Sequence, residues 1–181
     1  SLLVAEAVVR DRVLAAFRWV DGHADVWRLF DDGDVLAAVV EHLAGVAASA
    51  SATKVAGIES RGFILGGAVA VRAGIGFVPV RKEAGLFPGP KIIGRATADY
   101  RGIEHLLRLQ QQSVSDRDHV LLVDDWAELG SQALAARRLI EQAGATWAGA
   151  ALIVDQLEPS RRAELEPVTH IVTADELGPA E

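Results

Sequence analysis

The sequence contains no cysteine, which excludes disulfide bonds, thiolate metal sites and cysteine nucleophiles. Positive charge is also scarce, because 18 basic residues stand against 25 acidic ones and leave a net charge of −7. A general nucleic-acid or anionic-membrane binder needs the opposite balance. No apolar run approaches membrane-spanning length, and residues 1–18 show no signal-peptide pattern. We therefore expect a cytoplasmic protein that binds neither nucleic acid nor membranes.

The composition indicates one folded domain over residues 1–181. Half of the residues are hydrophobic and 24% are charged, close to the averages of folded globular proteins, so intrinsic disorder is excluded. The five histidines are scattered without metal-ligand spacing, which argues against a zinc or iron site.

The first third of the chain predicts helices around an irregular segment. Apolar residues recur at helical spacing up to Phe17, and the pattern is lost between Arg18 and Asp32. We interpret residues 1–33 as an N-terminal helix and a hood. Asp34 is the expected N-cap of the next helix.

From residue 53 onwards, strand-length apolar runs alternate with helical stretches. This alternation predicts an α/β fold with a mainly parallel, twisted sheet flanked by helices. Residues 82–100 are rich in glycine and proline and show little periodicity, so we interpret them as a flexible lid loop. The predicted strands are Lys54–Ile58, Gly76–Val80, Val120–Val123, Ala148–Val154 and His170–Val172, and the predicted helices between them are Gly62–Ala73 and Ser131–Ala143.

Polar clusters follow three of the predicted strands, at the edge where parallel sheets bind ligands. They are Ser60-Arg61, the adjacent cations Arg81-Lys82, and Asp124-Asp125. Ser60 and Arg61 precede a helix whose free N–H groups suit a phosphate. Asp124 and Asp125 end a buried strand and offer hard oxygens for sugar hydroxyls or hydrated magnesium. Taken alone, each cluster also has a structural interpretation: Ser60 as a helix cap, Arg61 as a solvated side chain, and the two acids as turn residues.

The order of the motifs resembles that of adenine phosphoribosyltransferases, members of the type I phosphoribosyltransferases. The resemblance covers roughly residues 53–154. The motifs that carry it are Glu59-Ser60-Arg61-Gly62-Phe63, Val80-Arg81-Lys82, Leu86-Phe87-Pro88-Gly89-Pro90, Asp99-Tyr100 and Leu121-Leu122-Val123-Asp124-Asp125.

The resemblance implies transfer of a phosphoribosyl group from phosphoribosyl pyrophosphate to a purine base, with Mg²⁺, in a homodimer. Asp124 and Asp125 would hold the ribose hydroxyls and, through water, the metal, while Asp125, Asp99 and Tyr100 would serve catalysis. The residues implied for pyrophosphate are Ser60, Arg61, Arg81 and Lys82, and those implied for the 5′-phosphate are Ala127, Glu128, Leu129, Gly130, Ser131 and Gln132.

For the base, the resemblance implies a place at the hood around Val26 and Trp27. A flat aromatic face such as that of Trp19 or Trp27 favours a flat heterocycle. The alternative is that both tryptophans pack the hood against the sheet. The segment lacks the family's usual base-recognition motif, so adenine specificity does not follow from it.

The phosphate loop departs from the family pattern, in which Ala-Thr-Gly-Gly-Thr follows the acids. Leu129 and Gln132 replace the two threonines, while Ser131 restores one hydroxyl. Glu128 adds a carboxylate, and at about 5 Å and an effective dielectric near 20 it would repel each phosphate charge by roughly 3 kcal/mol. A carboxylate turned toward solvent, or toward an arginine such as Arg61, would avoid this repulsion.

The altered loop leaves two alternatives to the purine phosphoribosyltransferase. One is a nucleotide- or phosphate-binding regulator on the same fold, with weak or no catalysis. The other is an enzyme of the same chemistry whose acceptor is different or whose donor lacks the 5′-phosphate.

Overall fold

The helices and strands are described from a computed structural model, which covers residues 2–82, 86–97, 102 and 104–180, with residues 2–4 by their backbone alone. In chain order they are α1 (Leu2–Ala16), β1 (Trp19–Val20), β2 (His23–Ala24), α2 (Arg28–Asp31), α3 (Gly33–Ser49), β3 (Lys54–Ile58), α4 (Arg61–Ala73), β4 (Gly76–Val80), β5 (Lys91–Ala96), β6 (His105–Gln110), β7 (His119–Ala127), α5 (Ser131–Gln142), β8 (Thr146–Asp155), α6 (Pro159–Ala163) and β9 (Val168–Thr173).

Five strands form a parallel sheet in the order β4-β3-β7-β8-β9. The predicted parallel sheet with flanking helices is thereby confirmed. Strands β3 and β4 have the predicted bounds, whereas β7, β8 and β9 extend beyond their apolar runs. Because all five strands run the same way, their carboxyl ends share one edge, and the predicted polar clusters lie along it.

Each face of the sheet carries its own hydrophobic cluster. Val120 and Leu122 of β7 pack with α5 residues such as Leu139 on one face. Leu121 and Val123 pack on the other face with residues of α1, α3 and α4. This alternation along one buried strand is the period-2 pattern of a sheet covered on both sides.

The cap of α3 differs from the prediction. Asp32, not Asp34, is the N-cap, and its Oδ1 accepts the backbone N–H groups of Asp34 at 2.9 Å and Val35 at 3.1 Å. An aspartate at this position satisfies two otherwise free donors of the first turn. The helix therefore begins at Gly33, two residues earlier than an N-cap at Asp34 would place it.

The segment 82–100 is not a loop throughout, which corrects the prediction. Residues 91–96 form β5, which pairs antiparallel with β6 in a separate two-stranded sheet. Gly94 lies against α5, because a Cβ there would stand 3.1 Å from Leu139 Cδ2. The remainder of 82–100 includes residues 83–85 and 98–100, which lie outside the described part of the chain.

The hood contains the short β1–β2 hairpin and the one-turn helix α2, where the sequence predicts only irregular chain. Leu29 of α2 is 1% exposed and Val26 is 4% exposed, and both belong to the cluster of α1, α3 and α4. Within the described residues, no helix has the length and apolar character needed to span a membrane.

Candidate functional site

The two acids lie inside β7, which continues past them to Ala127 and pairs with β8 at Asp124 and Trp126. Asp125 is buried, with 4% of its surface exposed, and its backbone N–H donates to Asp124 Oδ1 at 2.9 Å. The strand therefore fixes both carboxylates at the carboxyl edge of the sheet, as the sequence predicts.

Burial and the adjacent Asp125 charge raise the pKa of Asp124 well above its ordinary value. The Lys82 charge offsets part of this rise. In the unliganded protein, burial and mutual repulsion raise the free energy of the ionised acid pair. A bound cation or a ligand with hydroxyl groups would lower that free energy.

Arg61, the first residue of α4 after strand β3, binds the acid pair on β7. Its Nε donates to Asp125 Oδ2 at 2.6 Å, a charge-assisted bond to a nearly buried carboxylate. The bond depends on a close approach of backbones, because a Cβ on Gly57 would stand 2.1 Å from the carbonyl oxygen of Gly62. Glycine at Gly57 thus lets the first turn of α4 sit directly on β3 and brings Arg61 to β7.

Ser60 precedes α4 across a cis peptide bond with Glu59 and is exposed to solvent. Its side chain makes no capping hydrogen bond to the helix. The structural alternative, Ser60 as a side-chain cap, is therefore wrong, and the hydroxyl remains open at the edge of the site.

The two hood tryptophans have different surroundings. Trp19 packs edge-on against Phe17, with ring centroids 5.3 Å apart, and its Nε1 donates to the Leu177 carbonyl oxygen, so it is a packing residue. Trp27 is 49% exposed, and its ring centroid lies 5.7 Å from Cζ of Arg61. Trp27 thus keeps an exposed face next to Arg61, the partner of Asp125.

Val26, the other residue implied for base binding, has its side chain in the hydrophobic cluster behind the hood. An apolar side chain that is 4% exposed has little surface left for a ligand. Its place in the chain nevertheless fixes the start of the turn that carries Trp27.

The Arg81-Lys82 pair divides into two roles at the end of β4. Arg81 stands 3.5 Å from Glu59 Oε2 without hydrogen-bond alignment, donates to the Leu86 carbonyl oxygen at 3.1 Å and lies over the ring of Phe87. Arg81 therefore anchors the segment at residues 86–87. Lys82 is fixed through its backbone N–H, which donates to Glu59 Oε2 at 2.9 Å.

The phosphate loop is the short turn between β7 and α5. Ala127 is buried as the last residue of β7, and Gly130 adopts a left-handed conformation with φ of 68° before the first turn of the helix. Leu129 is 46% exposed, and Ser131 is buried, with 7% exposed. Gln132 is partly buried in the first turn of α5. These residues place several N–H groups at one corner of the site.

Glu128 is partly buried in this loop. It makes no ion pair with Arg61, because that arginine is bonded to Asp125. Of the two alternatives for this carboxylate, pairing with Arg61 is wrong, and the other, a side chain turned toward solvent, stays a prediction.

Asp99 and Tyr100, the two residues implied for the lid, lie outside the described residues. Conversely, the structure gives Glu59 a part that the sequence analysis did not assign, since it links the ends of β3 and β4 through Lys82 and Arg81. The sequence feature that could have predicted this link is the carboxylate of Glu59 at the end of one strand and the cations Arg81 and Lys82 at the end of the next.

The described residues contain no cluster of three or more histidines and carboxylates able to enclose a metal ion. The adjacent carboxylates of Asp124 and Asp125 suit a different arrangement. Magnesium binds through one or two carboxylates, retains waters and completes its shell with substrate phosphates. The site therefore fits a magnesium ion that arrives with a phosphorylated ligand.

No protein-family model matches the chain. The adenine phosphoribosyltransferase of Streptomyces coelicolor is 41% identical over 143 residues, which span 79% of this chain and 77% of that protein. That of a Synechococcus strain is 39% identical over 155 residues, spanning 84% and 87%. The crystal structure of adenine phosphoribosyltransferase from Rhodothermus marinus superposes with a TM-score of 0.80 and 29% identity, covering 92% of this chain and 99% of that one.

The Saccharomyces cerevisiae enzyme, crystallised with an imino-altritol bisphosphate and adenine, gives a TM-score of 0.79 at 26% identity, with 91% and 99% covered. The sequence similarity extends over more than three quarters of the chain, and the structural similarity over nine tenths. By both measures, and as the order of its motifs predicts, the chain belongs to the adenine phosphoribosyltransferases of the type I phosphoribosyltransferase family.

Proposed function

We propose that the chain transfers the phosphoribosyl group of phosphoribosyl pyrophosphate to adenine, releasing AMP and pyrophosphate. The observation that carries the proposal is the Asp124–Asp125 pair at the carboxyl end of β7 with Arg61 bonded to it at 2.6 Å. Support for adenine as the base comes from the relatives, which bear the name adenine phosphoribosyltransferase, and from the yeast enzyme that holds adenine.

In this reaction the C1′–oxygen bond breaks, and its electron pair leaves with pyrophosphate. A ring nitrogen of the base forms the new bond to C1′ and loses its proton. The carboxylates of Asp124 and Asp125 would accept hydrogen bonds from the ribose hydroxyls and lie near the positive charge that develops on the sugar. Asp124 and Asp125 would hold magnesium through water, and the ion would offset negative charge on the leaving pyrophosphate.

The cations at the site would hold the pyrophosphate. Arg61 is bonded to Asp125, the Lys82 charge acts on Asp124, and the exposed hydroxyl of Ser60 adds a donor. Arg81 would contribute by fixing the segment after β4, given its contacts with Leu86 and Phe87. Trp27 would offer a face to the base, while Asp99 and Tyr100 would belong to the segment that closes over it.

The test measures pyrophosphate release from phosphoribosyl pyrophosphate, adenine and MgCl₂. We expect AMP and pyrophosphate in equal amounts. Asp125→Asn and Arg61→Gln should each lower kcat/KM by about 100-fold, since each removes a charged group aimed at the reacting sugar or its leaving group. Arg138→Gln, on the exposed side of α5, is the matched control and should retain full activity.

Two results would contradict the proposal. Absence of turnover with adenine, guanine and hypoxanthine, together with tight binding of the donor, would favour the regulator, an alternative that the adenine phosphoribosyltransferase relatives do not favour. Turnover with another base but not with adenine would support phosphoribosyl transfer and contradict adenine as the acceptor.

The remaining expectations from the sequence stay proposals. The homodimer that the family resemblance implies and the cytoplasmic location are both proposals. Equilibrium sedimentation of the purified chain tests the first of them: a mass of twice 19.2 kDa supports the dimer, and a mass of 19.2 kDa contradicts it.

A further inference from the structure

The phosphate loop has a neighbour from a distant part of the chain. A Cβ on Gly130 would stand 2.7 Å from Cγ of Arg161 and 2.7 Å from Cδ2 of Leu157. The methylene stem of Arg161 therefore lies directly on the loop. Glycine is required at this position both by the positive φ and by the close packing of the Arg161 and Leu157 side chains.

Three hydrogen bonds hold the segment of Arg161 in place. The backbone N–H of Gln156 donates to the Ala127 carbonyl oxygen at 2.9 Å, and Trp126 Nε1 donates to Gln156 Oε1 at 2.8 Å. Asp155 Oδ1 accepts the backbone N–H of Leu157 at 2.9 Å and so shapes the turn toward α6. The position of Arg161 beside the loop is thus fixed by the ends of β7 and β8.

The loop itself is short of positive charge. Glu128 is partly buried and makes no hydrogen bond or ion pair with any residue in the described ranges, and Leu129 has no side-chain donor. A phosphate dianion at the loop would face the Glu128 carboxylate with backbone N–H groups and one serine to offset it. A cation at this corner would restore the balance.

Other arginines of α5 and α6 are bonded elsewhere or point away. Arg137 donates to Glu141 and to the Glu164 carbonyl oxygen. Arg162 pairs with the buried Asp155, and Arg138 is exposed on the outer side of α5.

Arg161, in contrast, has a weak partner. Its guanidinium pairs with Glu164 at 3.4 Å, one turn further along, and the Glu164 side chain is 50% exposed. Exposed ion pairs of this spacing contribute little to stability and are readily exchanged for a stronger anion.

We propose that Arg161 binds the 5′-phosphate of the nucleotide and of the donor, exchanging Glu164 for the phosphate and offsetting Glu128. The inference rests on the proposed function, because it places a ribose 5′-phosphate at the turn between β7 and α5. Its ligand class is a phosphomonoester dianion on a sugar.

The experiment compares AMP with adenosine, which differ in the 5′-phosphate, by calorimetric titration. Arg161→Met keeps a stem of similar length over Gly130 and removes the charge. We expect this variant to bind AMP about tenfold more weakly or worse, with adenosine affinity unchanged. Arg161→Lys should recover part of the AMP affinity, and Arg138→Met should match the wild type for both ligands.

A second variant tests whether the Arg161 charge offsets the Glu128 carboxylate. Glu128→Gln should tighten AMP binding and leave adenosine binding unchanged. In the double variant with Arg161→Met, AMP affinity should return toward the wild-type value, since one charge of each sign is removed.

Unchanged AMP affinity in Arg161→Met would overturn the inference, as would an equal loss for AMP and adenosine, which would indicate a general distortion of the site. Wild-type protein that binds AMP no more tightly than adenosine would overturn it too. These results leave the proposed function standing wherever the wild type forms AMP from phosphoribosyl pyrophosphate. Failure of that synthesis overturns the proposed function independently of Arg161.

Discussion

At the scale of single residues, the acid pair shows a conflict between folding and function. The sequence places two carboxylates in succession at the end of a buried strand, where neither can turn fully to solvent. Asp125 is compensated by Arg61 at 2.6 Å, whereas Asp124 accepts the backbone N–H of Asp125 and is only partly offset by the Lys82 charge. Sites that hold such charges in the free protein lose stability to do so.

We therefore expect Asp124→Asn to stabilise the unliganded protein. Burial and Asp125 raise the pKa of Asp124 in the folded state, so the folded protein holds this proton more tightly than the unfolded chain does. The stability of the wild type accordingly falls as the pH rises above about 3.8 toward the raised pKa. The asparagine variant lacks this loss and should gain on the order of 1 kcal/mol or more at pH 8.

Urea unfolding at pH 4 and pH 8 checks this expectation, because the advantage of the variant should grow with pH. A constant difference between the two proteins at both pH values would show that Asp124 carries no charge cost. The same substitution should weaken donor binding, which titration with phosphoribosyl pyrophosphate and magnesium measures.

Individual residues also show why part of the site could be predicted and part could not. Asp124, Asp125 and Arg61 were visible because each directly follows or ends an apolar strand, and strand ends meet at one edge. The contact of Arg161 with Gly130 joins residues 31 positions apart through the packing of two turns. No local pattern encodes such a contact.

At the scale of elements, prediction succeeded where the strand coincides with its apolar run. β3 is almost wholly buried, and β4 is an apolar, partly buried strand at the edge of the sheet. Both are bounded by polar or glycine residues, so their ends could be predicted from the sequence. β7 was predicted too short, because two acids follow its apolar run, yet the strand continues past them and Asp124, Trp126 and Ala127 pair with β8. The β5–β6 hairpin was missed because Gly94 and Arg95 interrupt its apolar alternation, and its cover comes from α5.

The hood is packed against the helices of the core, which restricts its movement. Leu29 and Val26 belong to the same hydrophobic cluster as α1, α3 and α4. We expect Leu29→Ala to lower the free energy of unfolding by about 3 kcal/mol, the usual cost of a cavity at a buried leucine. Val20→Ala, in the same hood but 47% exposed, should change it by less than about 0.5 kcal/mol.

Chemical denaturation followed by tryptophan fluorescence measures both variants. Equal and small effects would show that the hood unfolds separately from the sheet. A large effect of Leu29→Ala alone would show that Trp27 stands on a part of the core, which suits a face that must hold a base in a fixed orientation.

At the scale of the whole molecule, the net charge of −7 and the proposed ligand have the same sign. An anionic donor therefore gains nothing from long-range attraction, and its binding must come from the few cations gathered at the carboxyl edge of the sheet. This arrangement distinguishes a site for one small anion from a surface for polyanions.

The stability of the whole chain should report this distinction. A ligand that binds only the folded state at about 100 times its Kd adds about 2.7 kcal/mol to the free energy of unfolding. For a chain of this size the corresponding rise in Tm is roughly 5–10 °C. We expect phosphoribosyl pyrophosphate with magnesium to produce this rise, whereas duplex DNA at equal phosphate concentration should leave Tm unchanged, because it meets a negative surface. Equal shifts with both would show that the protein responds to phosphate charge in general, and the local site would lose its support.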